Sequence, residues 1–110
     1  MNKLKEFKRP QQSLEVNKEW INNIKDNIKR ITIREGLRDF SKGKVIIFNT
    51  EKEWCTVRNI IDIQCKPLSD VSDSIAQEDG FKDIEDLYCK LKDYYPNITM
   101  KSEVTIIRWS

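Results

Sequence analysis

The chain has 110 residues, 38% hydrophobic and 35% charged, with three Gly, three Pro and a net charge of +2. That length and composition fit one ordinary globular domain and exclude both a disordered chain and a two-core protein. No histidine occurs, which excludes Ser-His-Asp and Cys-His catalysis, His-based metal sites and any proton shuttle titrating naturally near neutrality.

The three cysteines, Cys55, Cys65 and Cys89, are odd in number and far apart. No zinc spacing or disulfide scaffold is apparent, and they are expected to be small buried hydrophobes. No metal or other cofactor is expected. No apolar run reaches the ~20 residues that span a bilayer, and Met1 to Pro10 lacks the apolar core of a secretory signal. The expectation is a soluble cytoplasmic monomer without a membrane partner. Charge is unevenly placed: residues 59–100 carry four Lys/Arg against nine Asp/Glu, while residues 13–58 carry ten against seven. Such a balanced surface suits a short single strand or a nucleoside better than duplex DNA.

Residues 1–12 are basic and aperiodic and read as a flexible tail, leaving 13–110 as the domain. Ser13-Leu14-Glu15-Val16 alternates as a short strand, and Asn17 is placed to cap a helix over 18–27, with Trp20, Ile21, Ile24 and Ile28 at helical spacing. Asn27 suits the left-handed residue that ends it. Residues 29–35 alternate strictly, with Ile31 and Ile33 on one face and Arg30, Thr32 and Arg34 on the other. Ser41-Lys42-Gly43 turns into Val45-Ile46-Ile47-Phe48, a run apolar on both faces. Residues 53–65 are long for one strand; Cys55, Val57, Ile61, Ile63 and Cys65 share a face, and a bend or bulge is expected near Asn59. A short helix near 73–79 stops at Gly80. Asp83 caps a second helix carrying Ile84, Leu87, Tyr88, Leu91 and Tyr95, and Pro96 ends it. Glu103 to Trp109 is the closing strand. This order predicts an α+β fold built on a small, bent antiparallel barrel with flanking helices. Trp54, Trp109 and Tyr94 are candidates either for stacking a base or for the core.

Several patterns occur together in a familiar order. Asn27-Ile28-Lys29-Arg30-Ile31-Thr32-Ile33-Arg34 stands where a Gly-x-Lys-Thr segment runs into a Thr-x-Arg strand. Phe40-Ser41-Lys42-Gly43-Lys44-Val45 is a turn into a strand. Ala76-Gln77-Glu78-Asp79-Gly80-Phe81 leads to an acidic helix and Tyr95-Pro96, and Val104 to Trp109 is the last strand. From Ser13 to Trp109 the chain resembles the ASCH domain, a PUA-like barrel family associated with RNA.

The resemblance implies a polar cleft between barrel and helices that recognises RNA or a modified nucleoside. Some small members that resemble this chain are N4-acetylcytidine amidohydrolases using a Lys, a Thr and a Glu, which fall on Lys29, Thr32 and Asp79; others are described as RNA-binding or RNA-cleaving. The strand arginine falls on Arg34, and Arg30, Arg34 and Glu78 are the expected binding residues. Lysine can relieve a threonine hydroxyl of its proton once burial or a cation depresses the amine pKa, and a carboxylate orients the ammonium formed. Asp79 is a methylene shorter than the family Glu, a loss of roughly 1 Å in reach that can cost on the order of 10²-fold in rate. Asn27 and Arg30 replace Gly and Thr. Strict alternation also sets Lys29 on the face opposite Thr32 unless a kink turns it.

Overall fold

A computed structural model describes residues 11–110. The expected tail, residues 1–12, falls largely outside them, except that Gln12 already opens the first strand. The strands are β1 (Gln12–Val16), β2 (Ile31–Glu35), β3 (Gly43–Asn49), β4 (Cys55–Pro67) and β5 (Glu103–Trp109). They form one half-barrel sheet in the order β1-β3-β4-β5-β2. The antiparallel expectation holds for three pairings, but β1 runs parallel to β3. The crossover through residues 17–42 forces that direction, because both strands enter the sheet from the same end.

The helices are α1 (Ile21–Lys25), α2 (Asp73–Glu78) and α3 (Ile84–Tyr94). The single helix expected over 18–27 is instead a 3-10 turn, Lys18–Trp20, running into α1. Ser72 caps α2 by accepting from the Ile75 N–H, and Asp83 caps α3 by accepting from the Asp86 N–H. These bonds satisfy amides that a helix start leaves without partners. Among the described residues no helix is long and apolar enough to cross a membrane.

Burial divides into two clusters on the two faces of the sheet. Val104 and Ile106 of β5 join Ile31 and Ile33 of β2 beneath Ala76, Leu87 and Leu91 of the helices. Ile107 and Trp109, from the same β5, pack inside the barrel with Leu14, Val16, Ile24, Val45, Ile47 and Ile60. A strand buried on both faces is apolar at most of its inner positions, and in β5 Val104, Ile106, Ile107 and Trp109 supply that surface while Thr105 is buried among them. The barrel bends where the pairing of β4 with β5 slips between Ile60 and Asp62.

That slip splits the face expected for β4. Val57 and Ile61 are exposed, whereas Ile63 turns in and packs against the barrel interior. The expectation that the cysteines are buried is corrected: all three are exposed and free, Cys55 because it shares the outward face of Val57 and Ile61, Cys65 near the far end of β4, and Cys89 on the outward side of α3. Trp109 is a core residue and Trp54 packs against the same cluster, so neither is available to stack a ligand.

Candidate functional site

The alternation of β2 sets up the site. Ile31 and Ile33 face the helices, so Thr32 and Arg34 face the opposite way, toward the open side of the half-barrel. Lys29 does not belong to that alternation, because β2 begins only at Ile31. Asn27 adopts φ 59°, and the N–H groups of Ile28 and Lys29 both donate to the Asn23 carbonyl, at 2.8 and 2.9 Å. Asparagine tolerates this left-handed conformation. The kink turns Lys29 onto the side of Thr32, which a continuous strand would forbid.

Asp79 arrives from the other direction, as the residue that ends α2. Its N–H still donates to the Ile75 and Ala76 carbonyls, and Gly80 follows at φ +95°. The Lys29 Nζ donates to the Asp79 carboxylate and, at 3.3 Å, to its backbone carbonyl. The two residues are only 6% and 5% exposed. The Trp20 ring covers the ammonium, with Nζ 4.5 Å from a ring centroid, and packs edge-on against Phe81 at 6.0 Å. A Cβ on Gly80 would meet the Trp20 ring at 3.2 Å, so the absence of a side chain there is what lets the indole settle against the end of α2.

Arg34 has a different position from the one expected of a free ligand-binding arginine. Its Nε donates to Thr32 Oγ1 at 3.0 Å and its Nη2 to the Glu15 carbonyl at 2.5 Å. It therefore ties β2 to β1, the two outer strands of the sheet, across the open side of the barrel. The hydroxyl of Thr32 is thus oriented by Arg34, and its own proton has no acceptor among the described residues.

These groups line a single cavity of about 240 Å³, walled also by Glu15, Asn17, Thr50, Phe81, Tyr94 and Tyr95. Arg30 and Glu78 are not part of it. The Arg30 Nε donates to the Asn27 carbonyl at 3.0 Å on the exterior, and Glu78 accepts from Arg108 on the surface at 3.0 and 3.1 Å. The structure therefore does not bring these two residues together with Lys29, Thr32 and Asp79. Of the aromatic candidates only Tyr94 lines the cavity; Trp20 also lines it, although the sequence marks it only as one of the residues at helical spacing.

Burial governs the electrostatics. It pushes the Asp79 carboxyl up to about 6, against the pull of Lys29, which favours the carboxylate. It lowers the Lys29 amine, with Asp79 opposing and Arg34 assisting. Both members of the pair are thus moved toward the range in which protons exchange at neutral pH, and they titrate as a unit. Chemically, the cavity offers an amine, a carboxyl, a free hydroxyl proton and a guanidinium against aromatic walls.

No protein-family model matches the sequence, and no curated protein matches it. Solved structures do. An ASCH domain from Lactobacillus crispatus JV V101 superposes with a TM-score of 0.74 at 10% identity, over 100% of this chain and 85% of that one. A protein from Enterococcus faecalis V583 gives 0.70 at 13% identity, over 99% and 86%. A mutant ASCH protein from Zymomonas mobilis gives 0.65 at 11% identity, over 89% and 66%. The chain has the fold of these proteins, two of which are ASCH proteins.

Proposed function

We propose that the cavity around Lys29 and Asp79 binds a nucleoside, free or as a base presented by RNA. The observation that carries this reading is a buried, ligand-sized hollow in which ionisable groups converge beneath aromatic walls. At about 240 Å³ the hollow lies near the lower end of small-molecule pockets, which run about 300–1,000 Å³. A single base with its ribose is of that order; a stretch of polymer is not. Trp20 and Tyr94 supply aromatic surface for a planar ligand. Thr32, Lys29 and Arg34 supply donors for its carbonyl oxygens, and Asp79 an acceptor for an exocyclic amine. Glu15 and Lys90 line the cavity, and Lys90 pairs with Glu19 beside it. A groove that tracks a phosphate backbone is more uniformly basic, so a free nucleoside suits the rim better than a strand.

A second reading, hydrolysis of the acyl group of N4-acetylcytidine, is supported by the lowered Lys29 amine beside an oriented Thr32 hydroxyl. Thr32 Oγ1 would attack the acyl carbon while Lys29 takes its proton. The C–N bond then breaks as the nitrogen of cytidine receives that proton, and water releases acetate from the threonine ester. The test is a mass-spectrometric panel of modified nucleosides incubated with wild type and with Thr32→Ala. Retention of a nucleoside by both proteins supports binding, and conversion by wild type alone supports hydrolysis. Neither retention nor conversion of any member would overturn both.

A further inference from the structure

The proposed function leaves a steric problem, and the following rests on that reading. Lys29 and Asp79 are 6% and 5% exposed and the Trp20 ring lies over the ammonium, so a ligand comes into full contact with the pair only when that ring moves aside. Most walls are fixed. Thr32 and Arg34 belong to a paired strand, and Leu87 and Leu91 root α3 in the helix-side core. The exception is the arch of residues 17–23, which includes the 3-10 turn and the start of α1. It is pinned at its two ends: Val16 is 5% exposed, and Ile24 is fully buried with its carbonyl accepting from Arg58 Nη2 at 3.2 Å. Between those pins no residue is fully buried, and Lys18, Glu19 and Asn22 are exposed.

Two polar contacts hold this arch down on α3. Asn17 Nδ2 donates to the Tyr94 hydroxyl, and Glu19 pairs with Lys90 at 3.4 Å, with Lys90 also lying 5.4 Å from the Tyr94 ring. Both contacts face solvent, where such interactions are weak and are lost at little cost. On its inner side the arch carries Trp20, the ring that covers Lys29. A segment with firm ends, a light outer fastening and one large inward ring has the construction of a lid.

We propose that residues 17–23 are the lid of this cavity, with Trp20 as the plug over Lys29 and the Asn17–Tyr94 and Glu19–Lys90 contacts as its latch. Opening lifts the indole from the ammonium and clears the space above the ion pair for a planar ligand. Closure excludes water and restores the dehydration that sets the protonation of the pair.

The experiment needs no ligand. Backbone hydrogen exchange over residues 18–23, and the rate at which an amine-acylating reagent modifies Lys29 as read by peptide mapping, are compared at fixed pH in wild type, Tyr94→Phe/Lys90→Met and Lys92→Met. Lys92 lies on α3 outside the latch, against Tyr88. The latch variant is expected to raise both rates roughly tenfold, the sum of two surface contacts. Lys92→Met should leave both unchanged. Tyr94→Phe alone, which removes a single hydroxyl and preserves the fold, should give a smaller rise confined to the same residues. Unchanged rates in both latch variants, or a rise shared equally by the amides of β5, would overturn the lid. A lid that opens as expected in a protein that binds no nucleoside would overturn the proposed function and leave the lid standing.

Discussion

Lys29 reaches across 50 residues of sequence to donate to both the carboxylate and the backbone carbonyl of Asp79. Neither end of this pair sits in the regular part of an element: one follows a left-handed kink at Asn27, and the other closes a six-residue helix before Gly80. Burying two charges costs several kcal/mol per ion before their attraction offsets it. A fold that needed only stability at this point would be served as well by two apolar side chains. The pair is therefore best understood through what it does to protons and ligands.

The pH dependence of stability follows from the direction of the Asp79 shift. The carboxyl stands at about 6 in the folded protein and at 3.8 in an unfolded one. Between those values the native state holds a proton that the unfolded state has lost, so stability falls as pH rises through about 4 to 6 and levels off above. Asp79→Asn removes this dependence. The unfolding free energy of wild type relative to Asp79→Asn, from urea titrations, is expected to decline over that window by an amount on the order of 2–3 kcal/mol. Parallel profiles for the two proteins would contradict the shift.

Lys29 is the main influence holding Asp79 below the value that burial alone would impose. In Lys29→Met the carboxyl pKa, followed by NMR of the Asp79 side chain, is expected to move upward from about 6 by one unit or more. No movement, or a fall, would mean that the ammonium is not the partner of this carboxylate in solution.

Gly80 and Gly36 form a natural comparison. Both have positive φ, +95° and +84°, but a Cβ at Gly36 meets nothing within 4 Å while one at Gly80 meets Trp20 at 3.2 Å. Alanine at either position should cost about 1–2 kcal/mol from the left-handed backbone. At Gly80 displacement of the indole should add roughly 1 kcal/mol more. Equal losses in thermal or urea denaturation would show that Trp20 does not rest on the end of α2.

Arg34 is expected to act on the sheet as well as on the ligand. Arg34→Lys keeps the charge but cannot reproduce the fork that joins Thr32 Oγ1 to the Glu15 carbonyl. The expected result is a loss of about 1–3 kcal/mol and faster hydrogen exchange in β1. Exchange in β1 that stays at the wild-type rate would remove the bridge between the outer strands.

Local pattern made much of this fold legible in the sequence. The Gly43 turn, the Asp83 cap, the β4 bulge and the closing strand from Glu103 to Trp109 follow from alternation, capping chemistry and length. The parallel entry of β1 was not legible, because it depends on how residues 17–42 cross the barrel. The exposure of Cys55 was missed because its face of β4, with Val57 and Ile61, turns outward before the bulge while Ile63 turns in after it, and no count of alternating residues carries through a bulge. Lys29, Thr32 and Asp79 were legible only as members of a resemblance. Their meeting depends on the kink at Asn27, and the sequence showed that Asn27 tolerates such a turn without showing where it aims Lys29. Trp20 was hidden by its own spacing, since a ring that covers a lysine and one that fills a core occupy the same helical position.

The most direct measurement is an NMR titration of the protein with N4-acetylcytidine and cytidine, in wild type and Lys29→Met. Saturable shifts are expected at the Trp20 indole N–H and at the amides of Thr32 and Gly80, with weaker binding in the variant. Shifts that never saturate, or that collect on the outer face of β4 around Val57 and Ile61, would contradict a nucleoside site over the Lys29–Asp79 pair.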